Sequence, residues 1–302
     1  MNQPFRLSSV LDLTDVTGQL NSNSERVYRH DAKVLACWIQ DQGLTLGTLH
    51  LLTRSHLIAY RKYLGETYAK ATAARMFSVA RRVLQEYVYQ GTLATNPATG
   101  IKTFSVANET PYITLKKEEA QDLLKTIDIT TTKGKRDYAI LSLLLRTGLR
   151  RSECSALNIG DLKLEQGHTI AVIRHGKGDK RGIVKVPVDV VRSTEAYLEA
   201  AGRKDAALEA PLFVGFNRGD HPTVERVSDK LLERLVKQAG AKIGMNLSPH
   251  CLRASFITLT SEGGARLEQV QYAARHADPR TTQRYRKRKV NLDDNAVDYL
   301  KL

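Results

Sequence analysis

The chain has no cysteine pairs, no long apolar run and too few acidic residues to balance its bases. Each shortage excludes something. The 302 residues include only three cysteines, Cys37, Cys154 and Cys251, odd in number and without a Cys-x-x-Cys spacing, so neither a disulfide framework nor a cysteine metal site is expected. They read as buried small hydrophobes in a reducing compartment. No apolar stretch approaches the length that spans a bilayer and no secretory leader is read, so no membrane partner is expected and the expected location is cytoplasmic. None of the eight histidines lies in a His-Glu-x-x-His pattern or a Cys/His ligand cluster, which leaves no metal and no cofactor to expect. Lys and Arg number 46 against 32 Asp and Glu, a formal charge of +14. That surplus favours a polyanionic partner, and nucleic acid is the natural candidate.

The length suits two domains, each able to bury its own core. Residues 1–20 show little periodicity and read as an N-terminal extension. From Ser24, apolar residues recur at helical spacing: Val27, Val34, Leu35 and Trp38 form one stripe, Leu57, Tyr60 and Leu64 a second, and Ala73 to Tyr89 a third helix. Gly43, Gly65 and Gly91 punctuate them and Asn96-Pro97 closes the last. Residues 21–103 are thus expected to form a compact bundle of four or five helices, and 104–111 a linker. Residues 112–302 form the second domain. Thr114 is expected to cap a helix rich in first-turn acids, and an apolar helix from about Asp137 to Arg146 ends at Gly148. The Val- and Ile-rich stretches 169–174 and 182–188 make a β-hairpin, and helices resume from Val224. The fold class is mainly α with a small β-sheet.

Six polar residues in the second domain stand in an ordered set: Arg150, Lys177, His250, Arg253, His276 and Tyr285. Arg150 lies in Arg146-Thr147-Gly148-Leu149-Arg150-Arg151-Ser152-Glu153, Lys177 in Gly176-Lys177-Gly178, and His250 with Arg253 in His250-Cys251-Leu252-Arg253. Ser248 and Pro249 look like a helix start, which puts His250 and Arg253 three apart on one face. Tyr285 follows His276 by nine residues, among Arg284, Arg286, Lys287 and Arg288. Taken singly these residues are unremarkable: a lone arginine in a basic chain is usually solvated, a glycine-flanked lysine is usually a turn residue, and a tyrosine is usually core. Their order and motif context reverse that.

Together they resemble the tyrosine recombinases, also called the phage integrase family, from about Pro111 to Arg288 and more weakly from about Ser22 to Lys102. The resemblance implies a helical core-binding domain that clamps double-stranded DNA opposite a catalytic domain. Within the former, Lys70, Arg75, Arg81 and Arg82 are the candidate DNA contacts. It also implies roles in the catalytic domain. Arg150 and Arg253 would hold the scissile phosphate, whose charge grows as it becomes pentacovalent, with forked donors that never deprotonate near neutrality. Glu153 would orient one of the site's cations, His250 would point at the phosphate, His276 would hydrogen-bond a non-bridging oxygen or help position the nucleophile, and Lys177 would protonate the departing 5′ oxygen, with Lys180 and Arg181 as possible substitutes. Tyr285 would attack phosphorus to give a 3′-phosphotyrosine, and a second strand's 5′ hydroxyl would reverse the step without ATP or metal. Arg275 stands where most members of the family have Gly.

The same resemblance implies a homo-tetramer on DNA carrying specific recombination sites, with the apolar stripe Ala296, Val297 and Leu300 docked on a neighbouring protomer. Accessory proteins are an open partner class. Integration, excision and resolution of DNA elements all fit. Two other functions use overlapping features: a type IB topoisomerase-like strand transferase, which rejoins the original strand, and a catalytically silent DNA-binding regulator, which forms no covalent adduct.

Overall fold

In a computed structural model the described residues are 22–105, 112–174, 181–276, 278 and 281–282. The chain divides into two compact units, Met1–Asn108 and Glu109–Leu302.

Among its described residues the first unit has three α-helices, α1 (Ser22–Asp41), α2 (Arg54–Thr67) and α3 (Lys70–Tyr89), with a 3₁₀ turn at Leu46–Leu51, where the sequence suggested four or five helices. The helical spacing of the apolar residues sends Leu35, Trp38, Leu57, Tyr60, Leu64, Met76, Phe77, Val83 and Leu84 into one core. Thr53 caps α2 by accepting from the His56 backbone N–H. Ile101 is buried in this core, and the Phe104 ring, at the start of the expected linker, lies 4.5 Å under the Arg61 guanidinium and against Gly65. Cys37 departs from expectation. It is exposed, whereas Cys154 and Cys251 are buried, because the buried stripe Leu35, Trp38, Ile39 leaves position 37 on the outer side of α1.

The second unit contains helices α4 (Lys117–Lys125), α5 (Thr132–Thr147), α6 (Arg151–Ala156), strands β1 (Leu162–Glu165), β2 (His168–Ile173) and β3 (Gly182–Lys185), then α7 (Val188–Ala200), β4 (Val214–Phe216), β5 (Pro222–Arg226), α8 (Asp229–Lys242), α9 (Pro249–Glu262) and α10 (Leu267–Ala274). It is mainly helical with small antiparallel sheets, as the sequence implied. The expected hairpin is β2–β3, and β1 extends it to a three-stranded sheet in the order β1-β2-β3. Two expectations are corrected. Val224 does not open a helix but lies in β5, paired with β4; the helical run starts later because Ser228 caps α8 by accepting from the Leu231 N–H. Thr114 is not the cap of α4: the Glu119 carboxylate reaches back to the Lys116 N–H at 2.7 Å, while the Leu115 N–H is drawn 2.8 Å from Ser255 Oγ on α9, so the helix begins at Lys117.

Helix α5 is the centre of this unit. Ala139, Ile140, Leu141, Leu143, Leu144 and Leu145 are all buried, so this stretch is enclosed by its neighbours on every side. It packs against α7 on one side and α9 on another. Leu144 and Leu145 anchor its C-terminal end in the core, and Arg150 follows two residues after Gly148.

Candidate active site

Helix α5 ends at Gly148, whose backbone is left-handed (φ 62°, ψ 22°) and closes the helix by donating to the Leu144 carbonyl. A Cβ at this position would meet Phe256 Cδ1 at 2.4 Å, so glycine is required twice over, by conformation and by space. Arg150 then takes the N-cap position of α6. Its N–H donates to Glu153 Oε2 and its Nη1 to Glu153 Oε1, each at 2.8 Å. Glu153 is only 3% exposed. The second claim on its carboxylate comes from Arg275, whose Nη2 donates to Oε2. Burial alone pushes the Glu153 carboxyl upward, but the Arg275 charge and the Arg150 hydrogen bonds outweigh it and hold the group below the ordinary glutamate range.

Helix α9 begins as the sequence implied, with Ser248 at the N-cap and Pro249 at its first position. His250 and Arg253 follow on one face. Arg253 is 4% exposed and donates Nη1 to the Gly148 carbonyl and Nη2 to the Ala274 carbonyl. Each acceptor lies two residues ahead of a candidate site residue, Arg150 in one case and His276 in the other. A single guanidinium thus ties together the two turns that deliver them. Its fixed fork suits this, since two N–H groups reach two acceptors in defined directions.

His250 lies on the exposed edge of α9, with its ring stacked on Tyr112 at 5.2 Å between centroids. Desolvation, followed by the charges of Arg151, Arg253 and Arg150, lowers its pKa, against an opposing contribution from Glu233. Its neutral form therefore prevails at neutral pH. Arg151, close enough to His250 to act on it, is itself paired with Glu233 and with Asp229 at 3.4 Å on α8.

His276 follows α10. Its ring is buried, and Nδ1 is hydrogen-bonded to Thr282 Oγ1 at 2.8 Å. Its backbone is fixed from both sides by Gln271, whose carbonyl accepts from the His276 N–H and whose Nε2 donates to the His276 carbonyl at 3.2 Å. The bond from Nδ1 to Thr282 orients the imidazole. Arg150, Glu153, His250, Arg253 and His276 come together from the starts of α6 and α9 and the end of α10. Lys177 and Tyr285 lie outside the described residues, as does Lys180. Arg181 is exposed at the foot of β3.

Sequence reasoning passed over three neighbours of this cluster: Tyr112, Thr282 and the ion pair from Arg275 to Glu153. Only Arg275 carried a signal, as the departure from Gly noted above. No three His, Cys, Asp or Glu side chains among the described residues are grouped to hold a metal ion. Nor, among them, is any helix long and apolar enough to cross a membrane.

The model of the Phage integrase family matches residues 114–291, more than half of the chain. The chain belongs to the phage integrase family. This member is 30% identical to tyrosine recombinase XerD of Listeria innocua over 271 residues, covering 88% of each chain. It is 35% identical to tyrosine recombinase XerC of Myxococcus xanthus over 246 residues, covering 78% of this chain and 79% of that one. Among solved structures, the XerH site-specific recombinase in its post-cleavage complex with palindromic difH substrate superposes with a TM-score of 0.73 at 19% identity, over 87% of this chain and 75% of that one. A lambda integrase (75–356) dimer bound to a COC′ core site gives 0.67 at 15% identity, over 93% and 95% of the two chains. At these identities the structures show a shared integrase-family fold.

In the first unit the four candidate DNA contacts differ. Lys70 and Arg82 are exposed on α3, and the Arg82 guanidinium lies over the Tyr28 ring at 5.7 Å. Arg81 lies over Phe77 at 5.0 Å, and its buried Nε has no hydrogen-bond partner among the described residues. Arg75 is paired with Asp31, whose side chain is fully buried. Its first task is to neutralise that carboxylate, because an unpaired charge in a helical core is costly.

Proposed function

We propose that this chain is a site-specific DNA recombinase that cuts duplex DNA at defined sites and rejoins it to new partners through a 3′-phosphotyrosine. Arg150 and Arg253 hold the non-bridging oxygens of the scissile phosphate, His250 and His276 add hydrogen bonds, and Glu153 keeps Arg150 in place. Tyr285 attacks phosphorus as the P–O5′ bond breaks, and Lys177 gives its proton to the departing 5′ oxygen. Attack by a 5′ hydroxyl from another strand expels Tyr285 and restores the phosphodiester. The observation that carries this reading is the double hydrogen bond of Arg253 to the Gly148 and Ala274 carbonyls. It supports one phosphate-sized focus for residues that are far apart in the chain. The relatives named tyrosine recombinase support the same chemistry.

The reading includes residues 21–103 as a core-binding domain and 112–302 as the catalytic domain, joined by a linker and preceded by an extension at 1–20. It includes a cytoplasmic homo-tetramer on its sites, with the C-terminal tail docking between protomers. Deleting Asn295–Leu302 is then expected to impair strand exchange more than binding of one protomer to a half-site; equal exchange by the truncated protein removes the tail from the assembly.

The decisive experiment presents a nicked suicide duplex, carrying a site selected by the protein from a random pool, to the parent chain and to Tyr285→Phe. A denaturant-resistant protein–DNA adduct, absent from the variant, is the expected result. Tight binding without an adduct favours the silent regulator. Adducts that religate only their own strand favour the topoisomerase-like activity.

A further inference from the structure

Arg275 occupies a position that its backbone does not suit. As the C-cap of α10 it has φ 52° and ψ 49°, the left-handed region that glycine enters freely and side-chain-bearing residues rarely. Yet its side chain is neither exposed nor idle. It is 14% exposed, and its Nη2 is bonded to Glu153, itself 2% exposed at the side chain. Its methylenes run over Gly182, the first residue of β3, so closely that a Cβ there would stand 2.9 Å from Arg275 Cδ. The chain thus gives up the easy residue at 275 and leaves room for the arginine at 182.

From these contacts we infer that Arg275 is a positioning residue for strand cleavage, acting through Glu153 to leave Arg150 available to the scissile phosphate. The inference rests on the recombinase reading above. Glu153 receives two guanidinium groups and one backbone N–H. With Arg275 present, the carboxylate already has a second cationic partner, and Arg150 can turn donors to a substrate without stranding a buried charge. Without Arg275, Arg150 is the remaining cationic partner of Glu153 among the described residues and is held by it. The residues on either side strengthen the link, since the preceding Ala274 carbonyl accepts from Arg253 and the following residue is His276. The three residues Ala274, Arg275 and His276 therefore hold Arg253, pair with the carboxylate that holds Arg150, and supply a histidine.

The test measures single-turnover adduct formation on the suicide duplex, together with half-site binding and thermal melting, for the parent, Arg275→Gly, Arg275→Lys and the double variant Glu153→Gln with Arg275→Gly. Glycine suits the backbone at 275, so the first variant is expected to fold and bind DNA like the parent while forming adduct about tenfold more slowly or worse. Lysine, which retains the charge, is expected to recover part of the rate. The double variant is expected to be faster than Arg275→Gly alone, because the carboxylate that captures Arg150 has gone; a purely structural role predicts the opposite order. Adduct formation by Arg275→Gly within about twofold of the parent, or a double variant slower than the single one, overturns the inference and leaves the recombinase reading intact. No adduct from the parent overturns both.

Discussion

Arg253 donates from its guanidinium to the carbonyl of Gly148, 105 positions earlier in the chain. That bond joins the N-terminal part of α9 to the C-cap of α5, and the missing side chain at 148 makes room there for a second residue of α9. Phe256, one turn further along α9, fills the place where a Cβ would be. A helix end, a guanidinium and an aromatic ring share one small volume, and Arg150 follows from its rim.

Gly148→Ala is expected to destabilise the second unit by about 2–4 kcal/mol, from the left-handed backbone and the clash with Phe256 together. Urea unfolding followed by circular dichroism measures it. The same variant is expected to lose adduct formation even at temperatures where it remains folded, since Arg253 would be displaced. A stability matching the parent's would mean that the α5–α9 junction yields easily.

Acid stability tests Glu153. Its folded-state pKa lies below the ordinary value of 4.5, so the stability it contributes is fully present above that value and is lost as the pH falls through the lower folded value. Glu153→Gln is expected to lower stability near neutrality and to flatten the fall on acidification below about pH 4.5. An equally steep fall in the variant would assign the acid sensitivity to other carboxyls.

For His250 the sign is the same and the window is higher, because its folded-state pKa is also lowered, from an ordinary 6.5. A folded state that resists protonation is favoured above 6.5, the ordinary value, and loses that advantage as the pH drops below it. Proton resonances of the free protein are expected to give a ring midpoint under 6.5, and Tyr112→Ala is expected to move it upward by opening the stacked face to water. A midpoint that stays put in the variant would mean the neighbouring arginines alone depress it.

The basic residues of α3 are expected to separate into two groups. Lys70→Ala and Arg82→Ala should each reduce the slope of log K against log salt by about one if they contact phosphates. Arg75→Ala should instead lower the stability of the first unit by about 1–3 kcal/mol, because Asp31 is left buried without its cation. A changed salt slope with unchanged stability for Arg75→Ala would return it to the DNA-contact set.

Much of this protein can be read from its sequence, and the reason is local. Gly148 ahead of Arg150, and Ser248-Pro249 ahead of His250, are start and stop signals acting over one helical turn. The i, i+3 spacing of His250 and Arg253 places them on one face of any helix. The apolar stripes of α1 to α3 require a buried face wherever the rest of the chain lies. The order of the six polar residues, and with it the family, is likewise a one-dimensional property. What the tertiary structure decided is which distant groups meet. No local rule selects Asp31 as the partner of Arg75, sends the Leu115 N–H to Ser255 so that α4 starts at Lys117, or pairs Pro222–Arg226 as a strand before α8. Nor does any local rule bring Arg275 across 122 residues to Glu153. Such contacts form because a buried charge must find an opposite charge and a buried N–H an acceptor, and only the packed chain determines which ones are within reach.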